Sequence, residues 1–159
     1  MSTADAPAAV APSVPGPAPR ILVISAPYYR QVVDGMLKAA HDIFAQTKAE
    51  VMVTEVGGAY ELPQALAIAA ASGQGFDGYV LLGCVVRGET DHYDFICAAA
   101  TDGIMRVATS HALCLGTALL TVDTLAQAKA RSRETGSNKG AEAAVACLRQ
   151  IVLKRELVA

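Results

Sequence analysis

The sequence predicts a three-layer α/β/α domain around a four-stranded parallel sheet. Three observations lead there. Short apolar runs rich in β-branched residues alternate with longer stretches of helical periodicity. The runs are apolar at successive positions rather than at every second one, as strands covered on both faces require. Glycine, proline or charged residues close each run before the next helical pattern, the rhythm of right-handed strand–helix–strand crossovers. At 159 residues the chain amounts to about one domain.

Residues 1–20 hold five of the seven prolines, six alanines and almost no charge, so a disordered Ala/Pro-rich arm, flexible or polyproline-like, is expected there. The folded domain is expected over 21–159. Residues 21–26 form the first strand, closed by Pro27. Residues 28–46 place Val32, Val33, Met36, Leu37, Ala40 and Phe44 on one helical face. Residues 51–56 read as a second buried strand, stopped by Gly57-Gly58. A helix over 61–72 tolerates Pro63 in its first turn. Residues 78–86 are the most apolar strand, and a long helix follows over 92–111. A fourth strand over 113–121 and two helices, about 123–133 and 138–154, complete a flavodoxin-like pattern.

Lys and Arg number 13 against 15 Asp and Glu, a net charge of −2, and the pI is about 5.9. That balance argues against a nucleic-acid-binding surface. Hydrophobic residues reach 53% and charged ones only 18%, with a mean hydropathy of +0.35. Yet the longest apolar runs fall well short of the roughly 20 residues a membrane helix needs. The apolar surplus therefore points to burial against other copies of the chain. The N-terminus lacks the charged and apolar regions of a secretory signal. Cys84, Cys97, Cys114 and Cys147 form no C-x-x-C pair, so no zinc site is expected and the thiols read as free, as in a reducing cytoplasm.

Ligands of open parallel sheets bind at the carboxyl ends of the strands. Neither G-x-G-x-x-G nor G-x-x-x-x-G-K-[ST] occurs, and Pro27 removes an amide from the first loop. The third loop is the informative one. Gly88-Glu89-Thr90 runs into a helix that opens with Asp91 and His92, with Thr90 expected as its N-cap. Amides at a helix start form an anion site, and the positive end of the dipole disfavours a second proton on the imidazole. A neutral imidazole beside an anion suits acid–base chemistry on a phosphorylated substrate; the alternative is merely a well-capped helix. Arg87 either joins that site or pairs with an acidic neighbour. In the second loop, Glu61 is either a hydroxyl acceptor or a helix-start carboxylate. Tyr28 either stacks on a planar ring or joins the core. Gly136 to Gly140 lie between helices and read as a C-cap followed by an Asn138 N-cap rather than a phosphate loop. Arg131 and Lys139 have no obvious partner within the chain.

The stretch Leu82-Gly83-Cys84-Val85-Val86-Arg87-Gly88-Glu89-Thr90-Asp91-His92-Tyr93-Asp94-Phe95 closely resembles the 6,7-dimethyl-8-ribityllumazine synthase family. So do Gly58-Ala59-Tyr60-Glu61-Leu62-Pro63, Gln127-Ala128 with Arg131, and Asn138-Lys139-Gly140-Ala141-Glu142-Ala143-Ala144, in the same order along the chain. The resemblance spans residues 21–153. It implies condensation of 5-amino-6-ribitylaminouracil with 3,4-dihydroxy-2-butanone 4-phosphate, without metal or redox cofactor. By the same resemblance His92 transfers protons, and Gly88, Glu89, Thr90 and Arg131 hold the phosphate. Tyr28 stacks on the pyrimidine; Ala59, Tyr60 and Glu61 meet the ribityl chain; Cys84, Val85 and Val86 meet the ring edge; Lys139 adds a polar contact. It further implies pentamers, or multiples of them, with active sites between subunits.

Two positions depart from the family pattern. Members often show Arg-Phe-Asn where this chain has Pro27-Tyr28-Tyr29, and Thr117 stands where a phenylalanine often walls the pocket. These motivate a second reading, an oligomeric flavin- or lumazine-binding scaffold with little turnover. A flavodoxin-like electron carrier is disfavoured by Pro27 and the absence of first-loop hydroxyls.

Overall fold

Continuous apolar sequence puts β1 (Arg20–Ala26) and β3 (Gly78–Val86) at the centre of the sheet, with β2 (Glu50–Glu55) and β4 (Leu115–Val122) at its edges. In the computed structural model, which describes residues 7–158, all four strands are parallel in the order β2-β1-β3-β4. Ile21 pairs with Val51 on one side and Gly78 on the other, and Tyr79 pairs with Leu115. Helices α1 (Arg30–Gln46), α4 (Leu125–Ala130) and α5 (Lys139–Val158) cover one face, α2 (Glu61–Ala71) and α3 (His92–Ser110) the other. This is the three-layer, flavodoxin-like arrangement that the alternating pattern predicts.

Each face has its own core. On the first, Val32, Val33, Met36 and Phe44 of α1 and Ala144, Leu148 and Ile151 of α5 meet Ile21, Val23, Val80 and Leu82. On the second, Leu62, Leu66 and Ile104 meet Leu22, Ile24 and Leu81. Each fully buried Leu, Ile, Met or Phe contributes about 1.5–3 kcal/mol through burial. The edge strands depart from the expectation of full burial: β2 is exposed over most of its length, and β4 alternates. Both edges lack a second neighbouring strand, and the outward face of β4 at Thr117 and Thr121 lies open. Among the described residues no helix is long and apolar enough to cross a membrane.

The second half of the chain differs in two further details. α4 is shorter than expected and starts at a capping box, in which Thr124 Oγ1 accepts from the Gln127 amide and Gln127 Oε1 accepts from the Thr124 amide. Its C-cap is Arg131, so Gly136 caps no helix; it sits in the connecting loop at φ +86°. The expected Asn138 cap is present: its Oδ1 accepts from the Gly140 amide at 2.8 Å, while its Nδ2 donates to the carbonyls of Gly35 and Arg133. α5 then lies so close to its neighbours that a Cβ on Gly116 would overlap the Ala143 carbonyl, and one on Gly140 the Met36 carbonyl. Backbone on both sides leaves nothing to yield. Gly116→Ala should therefore cost about 2–3 kcal/mol, read as a lower urea midpoint at unchanged slope.

Residues 7–19 of the arm contain no helix or strand. Ala9, Ala11 and Val14 rest on the α1–α5 core, and Arg155 Nη1 donates to the carbonyls of Pro15 and Pro17 at 2.5 and 2.8 Å. Its Nη2 bonds Asp77 Oδ1 at 3.2 Å. Residues 1–6, the start of the expected arm, lie outside the described residues.

Candidate active site

The carboxyl ends of β1 and β3 and the start of α3 enclose a cleft of about 280 Å³. Tyr28 and Tyr29 line it from the first loop, Gly58 and Ala59 from the second. Cys84, Val85 and Val86 form its floor, and Gly88, Thr90, His92, Tyr93 and Ile96 complete it. Most of the residues expected to bind the ring substrate and the phosphate on this chain thus converge on one opening.

The ladder between β3 and β4 runs one residue past β3, since the Arg87 amide donates to the Val122 carbonyl at 2.9 Å. The chain then turns into α3 through residues 88–91. Thr90 does not cap this helix, contrary to expectation. The N-cap is Asp91, at φ −66° and ψ −5°, and it makes no side-chain capping bond. A side-chain cap needs an extended backbone, and the chain here is already helical. As a result the amides of Gly88, Glu89, Thr90, Asp91, His92 and Tyr93 find no acceptor among the described residues. Free amides backed by the dipole of a 19-residue helix favour an anion.

His92, the first residue of α3, is exposed, and its ring stands edge-on to Tyr60 with centroids 6.0 Å apart. Tyr28 is 77% exposed, which removes it from the core and leaves its faces free for a planar ligand. Tyr29 braces it, 5.1 Å away at 63°. Glu61 opens α2, and its carboxylate folds back so that a Cβ on Gly58 would lie 3.2 Å from Oε2. The absence of a side chain at Gly58 thus leaves room for this carboxylate close to the backbone. Glu89 is exposed beside the cleft without lining it.

Burial pushes the Cys84 thiol up to about 11 and raises Cys147 as well. The folded state holds these protons more tightly than the unfolded chain does. The Cys84 contribution to stability is thus complete below about pH 9 and is lost as pH rises through about 11. The urea midpoint should fall across that window, with a shallower fall in Cys84→Ser.

Thr117, Arg131 and Lys139 do not line this cleft. Thr117 lies on the open face of β4, in an apolar groove against α3 and α5 with Met105, Leu153 and Leu157. Among the described residues Arg131 Nη1 bonds the Gln127 carbonyl, at 2.9 Å. Lys139 does have a partner in the chain, contrary to the sequence reading: Nζ meets Glu142 Oε2 at 2.6 Å. In the other direction, Tyr29, Gly58, Tyr93 and Ile96 line the cleft without having been singled out as site residues. Ile96 was recoverable, since it falls one helical turn after His92 on the same face.

Comparison with known proteins decides what this cleft belongs to. The sequence model of 6,7-dimethyl-8-ribityllumazine synthase matches residues 18–155, from just before β1 into the last turns of α5. The chain belongs to the lumazine synthase family. A lumazine synthase of Methylorubrum populi is 40% identical over 156 residues, covering 96% of this chain and 91% of that protein. One from Paramagnetospirillum magneticum is 40% identical over 144 residues, 87% of this chain and 96% of its own. A third, from Methylobacterium radiotolerans, is 42% identical over 136 residues, covering 86% and 82%. The lumazine synthase match contains both the cleft and the predicted site residues that do not line it: Tyr60, Glu61 and Glu89 at its side, and Thr117, Arg131 and Lys139.

Proposed function

We propose that this chain condenses 5-amino-6-ribitylaminouracil with 3,4-dihydroxy-2-butanone 4-phosphate to 6,7-dimethyl-8-ribityllumazine, releasing phosphate and water, the penultimate step of riboflavin biosynthesis. The observation behind this reading is the meeting, in one cleft of a lumazine synthase-family chain, of His92, an uncapped row of amides and an exposed aromatic ring. Their chemistry suits the reaction. The pyrimidine's amine attacks the ketone and loses water to give an imine, so the protein supplies no nucleophile. Phosphate then leaves, and the ribityl-bearing nitrogen closes the second ring with loss of water. The protein's tasks are to hold two substrates together, neutralise the departing phosphate and carry protons.

Tyr28 stacks on the pyrimidine, and the backbone of Cys84, Val85 and Val86 meets its edge. Ala59, Tyr60 and Glu61 receive the ribityl hydroxyls. Gly88, Glu89 and Thr90 hold the phosphate. Thr117, Arg131 and Lys139 complete the site from an adjacent copy, in a pentamer or a multiple of pentamers in the cytoplasm. Exposed Phe95, Met105, Leu153 and Leu157 support such an assembly, because apolar area left on one chain is covered in an oligomer. Residues 21–159 form the synthase domain, and residues 1–20 are an arm outside it.

Mixing the two substrates with purified protein tests the reading. Lumazine absorbance and free phosphate should appear together, well above the spontaneous rate. Tight riboflavin binding with no acceleration would replace it with a flavin-binding scaffold.

A further inference from the structure

Arg87 stands immediately before the turn of uncapped amides, yet its guanidinium is directed at two carboxylates elsewhere. Nη1 and Nη2 grip both oxygens of Asp94 at 3.2 and 3.1 Å, and Nε meets Asp123 Oδ1 at 3.1 Å. The same group lies over the Tyr93 ring, 4.0 Å from its centroid. Its hydrogen bonds to Asp94, then to Asp123, keep it charged by raising an already high pKa. All three ionic side chains are about half exposed or more. Exposed ion pairs contribute little to stability, so this arrangement is not explained by holding the fold together.

Its connectivity offers another explanation. The Arg87 backbone is pinned to Val122 at the end of β4, and its side chain reaches over residues 88–91 to the first turn of α3. The turn it spans has no side-chain cap of its own, and the space around Gly88 is open. The loop amides and His92 thus hang between two points that one arginine joins. Without Arg87, moreover, the carboxylates of Asp94 and Asp123 would stand beside the anion site with no counter-charge.

We propose that Arg87 is a positioning residue of the reaction: its fork on Asp94, with Asp123 and Tyr93, sets the Gly88–Thr90 amides and His92 in place and cancels two negative charges next to the phosphate. This rests on the activity proposed above, and its test is chosen to separate the two. Arg87→Met should raise KM for the phosphorylated substrate about tenfold and lower kcat about tenfold, because a small displacement of reacting groups is costly. KM for the pyrimidine should stay within about twofold. Tm should move by no more than about 3 °C, as exposed pairs predict. Arg87→Lys keeps the charge without the fork, so KM should recover to within about threefold while kcat stays low.

Calorimetry with inorganic phosphate reads the same site without turnover, and Arg87→Met should bind it about tenfold more weakly. Wild-type protein that binds phosphate but forms no lumazine would overturn the activity and leave the Arg87 contrast measurable. Unchanged phosphate affinity in Arg87→Met would overturn the proposal. So would a parallel rise in both KM values with a large drop in Tm.

Discussion

His92→Ala should lower kcat for lumazine formation by about 10²-fold and leave both KM values near those of the wild type. A positioned acid–base group contributes roughly 10²–10⁴-fold, and the low end applies here. The amine and ketone react spontaneously once held together, and the amide row proposed to hold the phosphate does not depend on the imidazole. His92 is exposed, meets Tyr60 edge-on, and opens α3 without capping it, so its removal opens no buried cavity. Stopped-flow absorbance at saturating substrate separates this loss from one of binding. A proportional rise in KM would show that His92 holds substrate instead of moving protons.

Arg131→Ala should raise KM for the four-carbon phosphate by about 30-fold with a smaller change in kcat. In this chain Arg131 ends the short helix α4, and among the described residues its guanidinium bonds the Gln127 carbonyl of that helix. Little within the chain is lost with it. A guanidinium that meets a phosphate dianion makes charge-assisted bonds each worth about 1.5–3 kcal/mol, and about 2 kcal/mol corresponds to the stated factor. The pyrimidine's KM should hold steady. The loop that carries Arg131 is anchored by the Asn138 side chain to Gly35 and Arg133, and by the Lys139 amide to the Arg131 carbonyl at 2.9 Å. The guanidinium is thus presented from a firm base. Equal kinetics for Arg131→Ala and wild type would remove this residue from the site.

The central strands and the cleft were legible because local patterns dictated them. β1 and β3 are apolar at successive positions, and such strands have nowhere to go but the middle of a parallel sheet. The cleft followed from topology, since residues just after parallel strands share one edge. Exposure of β2 and β4 was not legible, because burial at an edge depends on what lies beside it rather than on the strand's own residues. Thr90 was misjudged as a cap for a related reason. Its hydroxyl fits the role, but the backbone entering α3 was already helical at Asp91, and φ and ψ are not written in the side chain. Gly136 was misplaced because α4 ends early, at a loop bound through Asn138 rather than at a glycine. Thr117, Arg131 and Lys139 could be tied to the site only by family resemblance; the periodicity of one chain says nothing of a second.

Whether one copy supplies the histidine and amides while another supplies the arginine is tested most directly by mixing two impaired variants, assayed with the four-carbon phosphate well below its KM, where both are slow. His92→Ala and Arg131→Ala chains, separately tagged and co-assembled, should regain close to a quarter of wild-type kcat/KM for that substrate, since about one site in four pairs an intact cleft with an intact Arg131. Activity of the mixture equal to the average of the two parents would contradict a site built across copies.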